Sequence, residues 1–275
     1  MLQRLLDWLK RLFAVLRDAP RLPDKWGKQP NEEGEQKRSP MLPPAKAQPV
    51  QYDRDVLAPF VGPTLPRMSG RGYSGFAKVY GRPPQSARSE FPGMKKCKMN
   101  WPWKGEPLPG KWNGGNTVLY CAKMFEPYLR EALRRCEEFG VIDYFERIGC
   151  YNHRKIRHKK SNPYSLHAWG AAVDINAGDN KSISQKRGAK KIPMPFSRRW
   201  LGYYEKGQPY LLVRAFLSVG LTWGGCWHRK KWIEVVEGLG VGYSELEAEA
   251  KYPEAVKEWR SMTYCDPMHW EATKR

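Results

Sequence analysis

The stretch Ser165-Leu166-His167-Ala168-Trp169-Gly170-Ala171-Ala172-Val173-Asp174 sets an imidazole and a carboxylate seven positions apart, with small residues between them. Far along the chain, Asp266-Pro267-Met268-His269-Trp270-Glu271 adds a second imidazole and two more carboxylates. His167, Asp174 and His269 together offer two nitrogens and one oxygen. That donor set suits a tetrahedral zinc with one position left for water. Asp266 stands three residues before His269, and Pro267 restricts the backbone between them. Its carboxylate is the candidate general base, placed to take a proton from metal-bound water. Competing roles exist for each residue. His269 could be a buried histidine satisfied by Tyr264 or Glu271, Asp266 could cap the turn before Pro267, and Glu271 could itself be the base.

Ser-x-His-x-x-Gly-x-Ala-x-Asp followed by Asp-x-x-His resembles the zinc D-alanyl-D-alanine carboxypeptidases and L-alanyl-D-glutamate endopeptidases. The endolysin-type branch is the most similar, through Trp223-Gly224-Gly225 and the Asp266–Glu271 segment. The resemblance runs from about residue 75 to 271 and is densest around these motifs. It implies one zinc per chain held by His167, Asp174 and His269, with Asp266 as base. It also implies that Glu271 orients a histidine ligand, and that Arg154 polarises the scissile carbonyl and steadies the developing oxyanion. Arg157 competes with Arg154, and the surrounding Lys155, Lys159 and Lys160 also suit an ordinary basic loop. Ser165 is expected to hydrogen-bond near the site or to bind substrate. His153, His158 and His228 lie in basic surroundings that favour protonation and are not assigned to the metal. One departure stands out: Cys226 precedes Trp227 where the related endolysins are expected to carry an acidic residue.

The elements that must position these groups read as an α+β domain, a small antiparallel sheet with flanking helices carrying a single zinc site. A helix is expected over 117–139, from Val118, Cys121, Phe125, Leu129 and Leu133 at helical spacing, with Gly140 as its stop. A short strand should cover Ala171–Ile175, a second helix Leu211–Val219 ending at Gly220, and further strands Leu221–Trp223 and Met268–Trp270. Ser244–Arg260 reads as one inserted, solvent-facing helix, and the basic run Lys181–Arg199 as a solvated loop. Three regions follow in order: an amphipathic helix over 1–19, a proline-rich linker over 20–66 with ten prolines, and a zinc peptidase domain over 67–275.

Composition narrows the partners. The formal charge of +20 over 275 residues calls for an anionic surface, such as peptidoglycan with its acidic polymers, a lipid headgroup layer or nucleic acid. No helix-turn-helix, zinc-finger or aromatic RNA-binding signature accompanies that charge, so a basic nucleic-acid-binding protein is the weakest reading. Leu2, Leu5, Leu6, Leu9, Leu12, Phe13 and Leu16 share one helical face. That face suits packing on the domain, self-association through residues 1–18, or an anionic membrane surface. Charges at Arg4, Asp7, Lys10, Arg11 and Arg17 interrupt it, so it does not read as a secretory signal. Action at the bacterial cell wall or periplasm would then need another delivery route, as in phage lysis. Six cysteines without a CxxC pair are expected to be free thiols. The resulting reading is a peptidoglycan stem peptidase of phage or phage-derived type. Its alternative is a non-catalytic, metal-containing wall-binding module.

Overall fold

A computed structural model describes residues 59–65, 77, 80–86, 96–100, 118–156, 163–185, 191–204, 206–227 and 229–273. The expected N-terminal helix lies outside these residues, as do nearly all of the linker, Arg157, His158 and His228. The fold is α+β, with a small antiparallel sheet and several helices.

The sheet that carries the site has four short strands in the order β3-β4-β8-β6. These are β3 (Ile148–Gly149), β4 (Ala172–Ile175), β6 (Thr222–Trp223) and β8 (His269–Glu271). Their register decides which side chains meet. Asp174 pairs with His269, Val173 with Trp270 and Trp223 with Trp270. Successive side chains alternate between faces, so Val173, Ile175, Trp223 and Trp270 turn to the core, where all four are buried. Trp223 and Trp270 stack there at 5.7 Å, and Phe216 and Phe196 pack around them. Asp174, His269 and Glu271 occupy the opposite face.

Two smaller antiparallel pairs flank this sheet. In one, β1 (Lys96–Asn100) pairs with β2 (Val118–Ala122). In the other, β5 (Ile183–Ser184) pairs with β7 (Tyr264–Cys265). The helix expected over 117–139 begins only at Glu126, as α1 (Glu126–Glu138). Residues 118–122 are a strand instead. Pro127 explains the boundary: it fits the first turn of a helix but would break one that had already begun at 117. At its other end Gly140 has φ +66° and stops the helix as expected.

Helix α2 covers Arg198–Tyr203, and α3 spans Tyr210–Ser218 with Gly220 beyond it at φ +89°. Buried Arg135 bridges α1 to α3, holding Glu131 at 2.9 Å and the Ser218 hydroxyl at 2.8 Å. The 244–260 segment departs from expectation. After α4 (Trp232–Leu239), it forms two helices, α5 (Glu245–Lys251) and α6 (Pro253–Arg260). Pro253 again sets the break, and Ser244 and Glu247 form a capping box at the start of α5. Ala248, Ala255, Val256 and Trp259 are buried, so these helices are packed rather than merely solvated.

The basic run is likewise not a solvated loop in its second half. Ile192, Met194 and Phe196 are buried, the Trp259 indole donates to the Ile192 carbonyl at 3.0 Å, and Lys191 pairs with Glu245 at 2.6 Å. Among the described residues no helix is long and apolar enough to cross a membrane.

Candidate metal centre

His167 sits in a single 3-10 turn, Leu166–Trp169. The Ser165 hydroxyl caps that turn by accepting the His167 backbone N–H at 3.4 Å, and Gly170 closes it at φ +65°. A side chain at Gly170 would also meet the backbone nitrogen of Ala122 at 2.9 Å, so the motif glycine lets β2 lie against the turn. Ser165 is 5% exposed and hydrogen-bonds to the His167 backbone; of the two roles the sequence suggested, this contact matches hydrogen bonding near the site rather than substrate contact.

Three ligand atoms converge. His167 Nε2 lies 3.1 Å from Asp174 Oδ1 and 3.2 Å from His269 Nδ1, and the last two are 3.0 Å apart. Ligands held about 2.0–2.1 Å from a tetrahedral zinc stand roughly 3.3 Å from one another, close to this spacing. The opposite nitrogens fix which atoms face inward. His167 Nδ1 is 2.7 Å from the Cys150 carbonyl, which can only accept, so this nitrogen carries the proton and Nε2 presents its lone pair. His269 Nε2 points to the fully buried Glu271 carboxylate at 3.4 Å, leaving Nδ1 to the centre. Glu271 therefore sits behind a candidate ligand, on the side away from the centre, where a carboxylate can orient it.

Three acceptor atoms this close repel one another unless positive charge lies between them. Protonation of His269 also supplies such charge. Burial alone would lower the His269 pKa, but Asp174 and Glu271 outweigh it and lift that pKa to about 10. Burial would raise the Asp174 carboxyl, yet His167 and His269 hold it far below the ordinary carboxylate range. The residues thus fit a divalent cation. Among the described residues this is the one group of three or more such side chains able to hold a metal.

Asp266 is brought to the same place. It feels the charges of His269, Asp174 and His167, and burial pushes its pKa above the ordinary value, with His269 opposing. One oxygen, Oδ2, accepts from the Tyr264 hydroxyl at 3.2 Å, whereas Oδ1 is buried with no hydrogen-bond partner. An unsatisfied buried carboxylate oxygen beside a metal-ligand cluster is where a proton acceptor would be needed.

The Trp-Gly-Gly motif holds the Asp266–His269 turn from one side. Gly224 donates to the His269 carbonyl and accepts from the Asp266 N–H, each at 2.8 Å. A Cβ at Gly224 would stand 2.5 Å from the Asp266 carbonyl oxygen, so this approach requires glycine. From behind, the Pro267 carbonyl accepts from the Trp223 indole at 2.7 Å and the Gln208 amide at 2.8 Å. Gln208 in turn accepts from the Trp270 indole at 3.2 Å. Sequence reading missed Gln208 and considered Tyr264 only as a partner for His269, not for Asp266, because neither belongs to a motif and their partners lie far along the chain or in a strand too short to announce itself.

Arg154 comes near through its backbone: its carbonyl accepts from Ser165 N–H at 3.0 Å, and Lys155 bridges Tyr164. His153 packs on Tyr164 at 5.1 Å and stays outside the metal group, as expected. Cys226 is buried, and burial pushes its thiol up to about 12, so it is a packed thiol rather than an anionic substitute for the acid expected there. With Cys121, Cys136, Cys150 and Cys265 it is a free cysteine.

Residues 158–231 match the family model described as D-alanyl-D-alanine carboxypeptidase. The match covers His167 and Asp174, and the resemblance to D-alanyl-D-alanine carboxypeptidases read from that motif is borne out there; the match also spans Trp223-Gly224-Gly225. His269 and Asp266 fall beyond the matched stretch, and the β4–β8 register delivers them to the same centre. Searches of curated proteins and of solved structures gave no match.

Proposed function

We propose that this protein is a zinc-dependent peptidase that hydrolyses a peptide bond in the peptidoglycan stem, of the D-Ala-D-Ala carboxypeptidase or L-Ala-D-Glu endopeptidase type. The observation that carries the reading is the buried, unpartnered Oδ1 of Asp266 beside the His167–Asp174–His269 cluster. A bound zinc would supply Lewis-acid polarisation and lower the pKa of its bound water toward neutrality. His167, Asp174 and His269 would hold it, one ion per chain, and Glu271 and the Cys150 carbonyl keep the two imidazoles aimed. Asp266 accepts a proton from the attacking water through Oδ1 and returns it to the leaving amine. Arg154, whose backbone runs beside Ser165, is the candidate for stabilising the oxyanion.

A wall-binding module that had lost catalysis would need the metal cluster but not a carboxylate with one buried, unpartnered oxygen, whose burial is costly. The enzyme reading accounts for that cost. The charge of +20 suits an anionic wall polymer, and a phage or phage-derived lysin acting at the bacterial cell wall is the setting that fits.

The test is release of new amino termini from purified sacculi and from a soluble stem peptide by zinc-loaded protein. Asp266→Ala should retain one zinc and lose roughly a hundred- to ten-thousand-fold in turnover. Arg154→Ala should also keep the metal while turning over more slowly. Zinc-loaded protein that cleaves neither substrate overturns the reading.

A further inference from the structure

Pro267 restrains the backbone after Asp266, but the side chain still has two rotatable bonds, and a base must hold one oxygen in a fixed direction. Tyr264, Cys265 and Asp266 are consecutive in and after β7, so Tyr264 and Asp266 share a face while Cys265 turns inward and is fully buried. Tyr264 donates its hydroxyl to Asp266 Oδ2 at 3.2 Å, which leaves Oδ1 as the free acceptor.

Tyr264 itself is held at both backbone and ring. Its strand pairs with β5, with Ser184 opposite, and Gln185 donates its backbone N–H to the Thr263 carbonyl at 3.0 Å and its side-chain amide to the Met262 carbonyl at 3.1 Å. Its ring stacks on Trp227 with centroids 5.5 Å apart and planes 26° apart. Trp227 in turn makes an edge-type contact with the candidate ligand His269, ring centroids 6.2 Å apart, and donates its backbone N–H to the Trp223 carbonyl at 2.9 Å. The Trp227–Tyr264 pair therefore spans from a metal ligand to the base. Tyr264 is 38% exposed, so filling the core does not explain why it is fixed this way.

We propose that Tyr264 is a positioning residue for Asp266, orienting the carboxylate so that Oδ1 faces the attacking water, and that Trp227 clamps the Tyr264 ring in that place. The proposal rests on the peptidase reading above. Tyr264→Phe removes the hydroxyl and keeps the stacked ring. It should lower kcat roughly 10- to 100-fold, the fold-change equivalent of one hydrogen bond to a charged group. KM should stay within about twofold and one zinc per chain should remain, since no ligand is touched. Trp227→Ala should lower kcat in the same direction. If Tyr264 acts through Asp266, the Tyr264→Phe/Asp266→Asn double variant should be no slower than Asp266→Asn alone.

A second readout does not depend on turnover. At one fixed pH, the carboxyl-carbon NMR signal of Asp266 in zinc-loaded protein should move in Tyr264→Phe and stay in place in Leu246→Ala, an exposed change on α5. Unchanged kcat, losses additive with Asp266→Asn, or an unmoved Asp266 signal overturns the proposal. A zinc-loaded wild-type protein that cuts no stem peptide overturns the peptidase reading instead, and the NMR comparison then decides whether Tyr264 orients Asp266.

Discussion

Adding one methyl group at Gly224 tests how the site is assembled. Gly224 makes two backbone hydrogen bonds that grip the Asp266–His269 turn, so it cannot simply move away. The new Cβ of Gly224→Ala would lie 2.5 Å from the Asp266 carbonyl oxygen, 3.0 Å from His269 Cβ and 3.2 Å from the His269 carbonyl oxygen. Ordinary contact begins at 3.4 Å, so the turn must retreat by about 0.9 Å along the first of these directions. Both the proposed base, Asp266, and a candidate metal ligand, His269, ride on that turn. A displacement near 1 Å at a reacting group costs on the order of a hundredfold in rate, and overpacking of this kind costs about 1–3 kcal/mol in stability. Gly224→Ala should therefore lose roughly a hundredfold in kcat/KM on a soluble stem peptide, with weaker zinc retention in a competition titration against a chelator. Thermal unfolding, measured with zinc and in its absence, separates the stability cost from the lost metal. An alanine variant with normal turnover and normal zinc retention would mean that the turn does not pack against Gly224 this closely, and the account of the Trp-Gly-Gly motif would fall.

His167→Ala should lose stoichiometric zinc and activity together, because two ligands rarely hold the ion tightly; retained zinc by elemental analysis would remove His167 from the ligand set. Gln208→Leu strips one donor from the Pro267 carbonyl and the acceptor from the Trp270 indole, so denaturant unfolding should show a loss of about 1–3 kcal/mol. Glu131 offers a pH test remote from the site. Hydrogen bonds from Arg134 and Arg135, against a smaller opposing effect of burial, lower its pKa from 4.5 to about 2. A depressed carboxylate pKa stabilises the fold above the unfolded value and ceases to do so as pH falls through the folded one. Glu131→Gln should thus be less stable than wild type at pH 7, and the gap should narrow between about pH 4.5 and about pH 2.

Much of the chemistry was legible in the sequence because it depends on residue type and local spacing. His167, Gly170 and Asp174 lie within one turn and one strand, so the motif specified their approach without distant help. Pro127 and Pro253 show where local information was present but outweighed by periodicity. Apolar spacing carried the expected helix across Pro127, and a Glu-, Ala- and Lys-rich composition carried it across Pro253, whereas the missing N–H and fixed φ of proline permit it only at a helix start.

Other features had no local signature. That Asp174 faces His269 follows from strand register, and a one-residue slip would have turned His269 into the core and Trp270 toward the metal. The direction of each imidazole depends on the Cys150 carbonyl and Glu271, and the free oxygen of Asp266 depends on Tyr264. The sequence by itself determined which atoms could bind a cation and which carboxylate could move a proton. Only tertiary structure decided that they meet, because a three-ligand centre drawn from two distant segments exists only where backbone pairing brings those segments within a few ångströms.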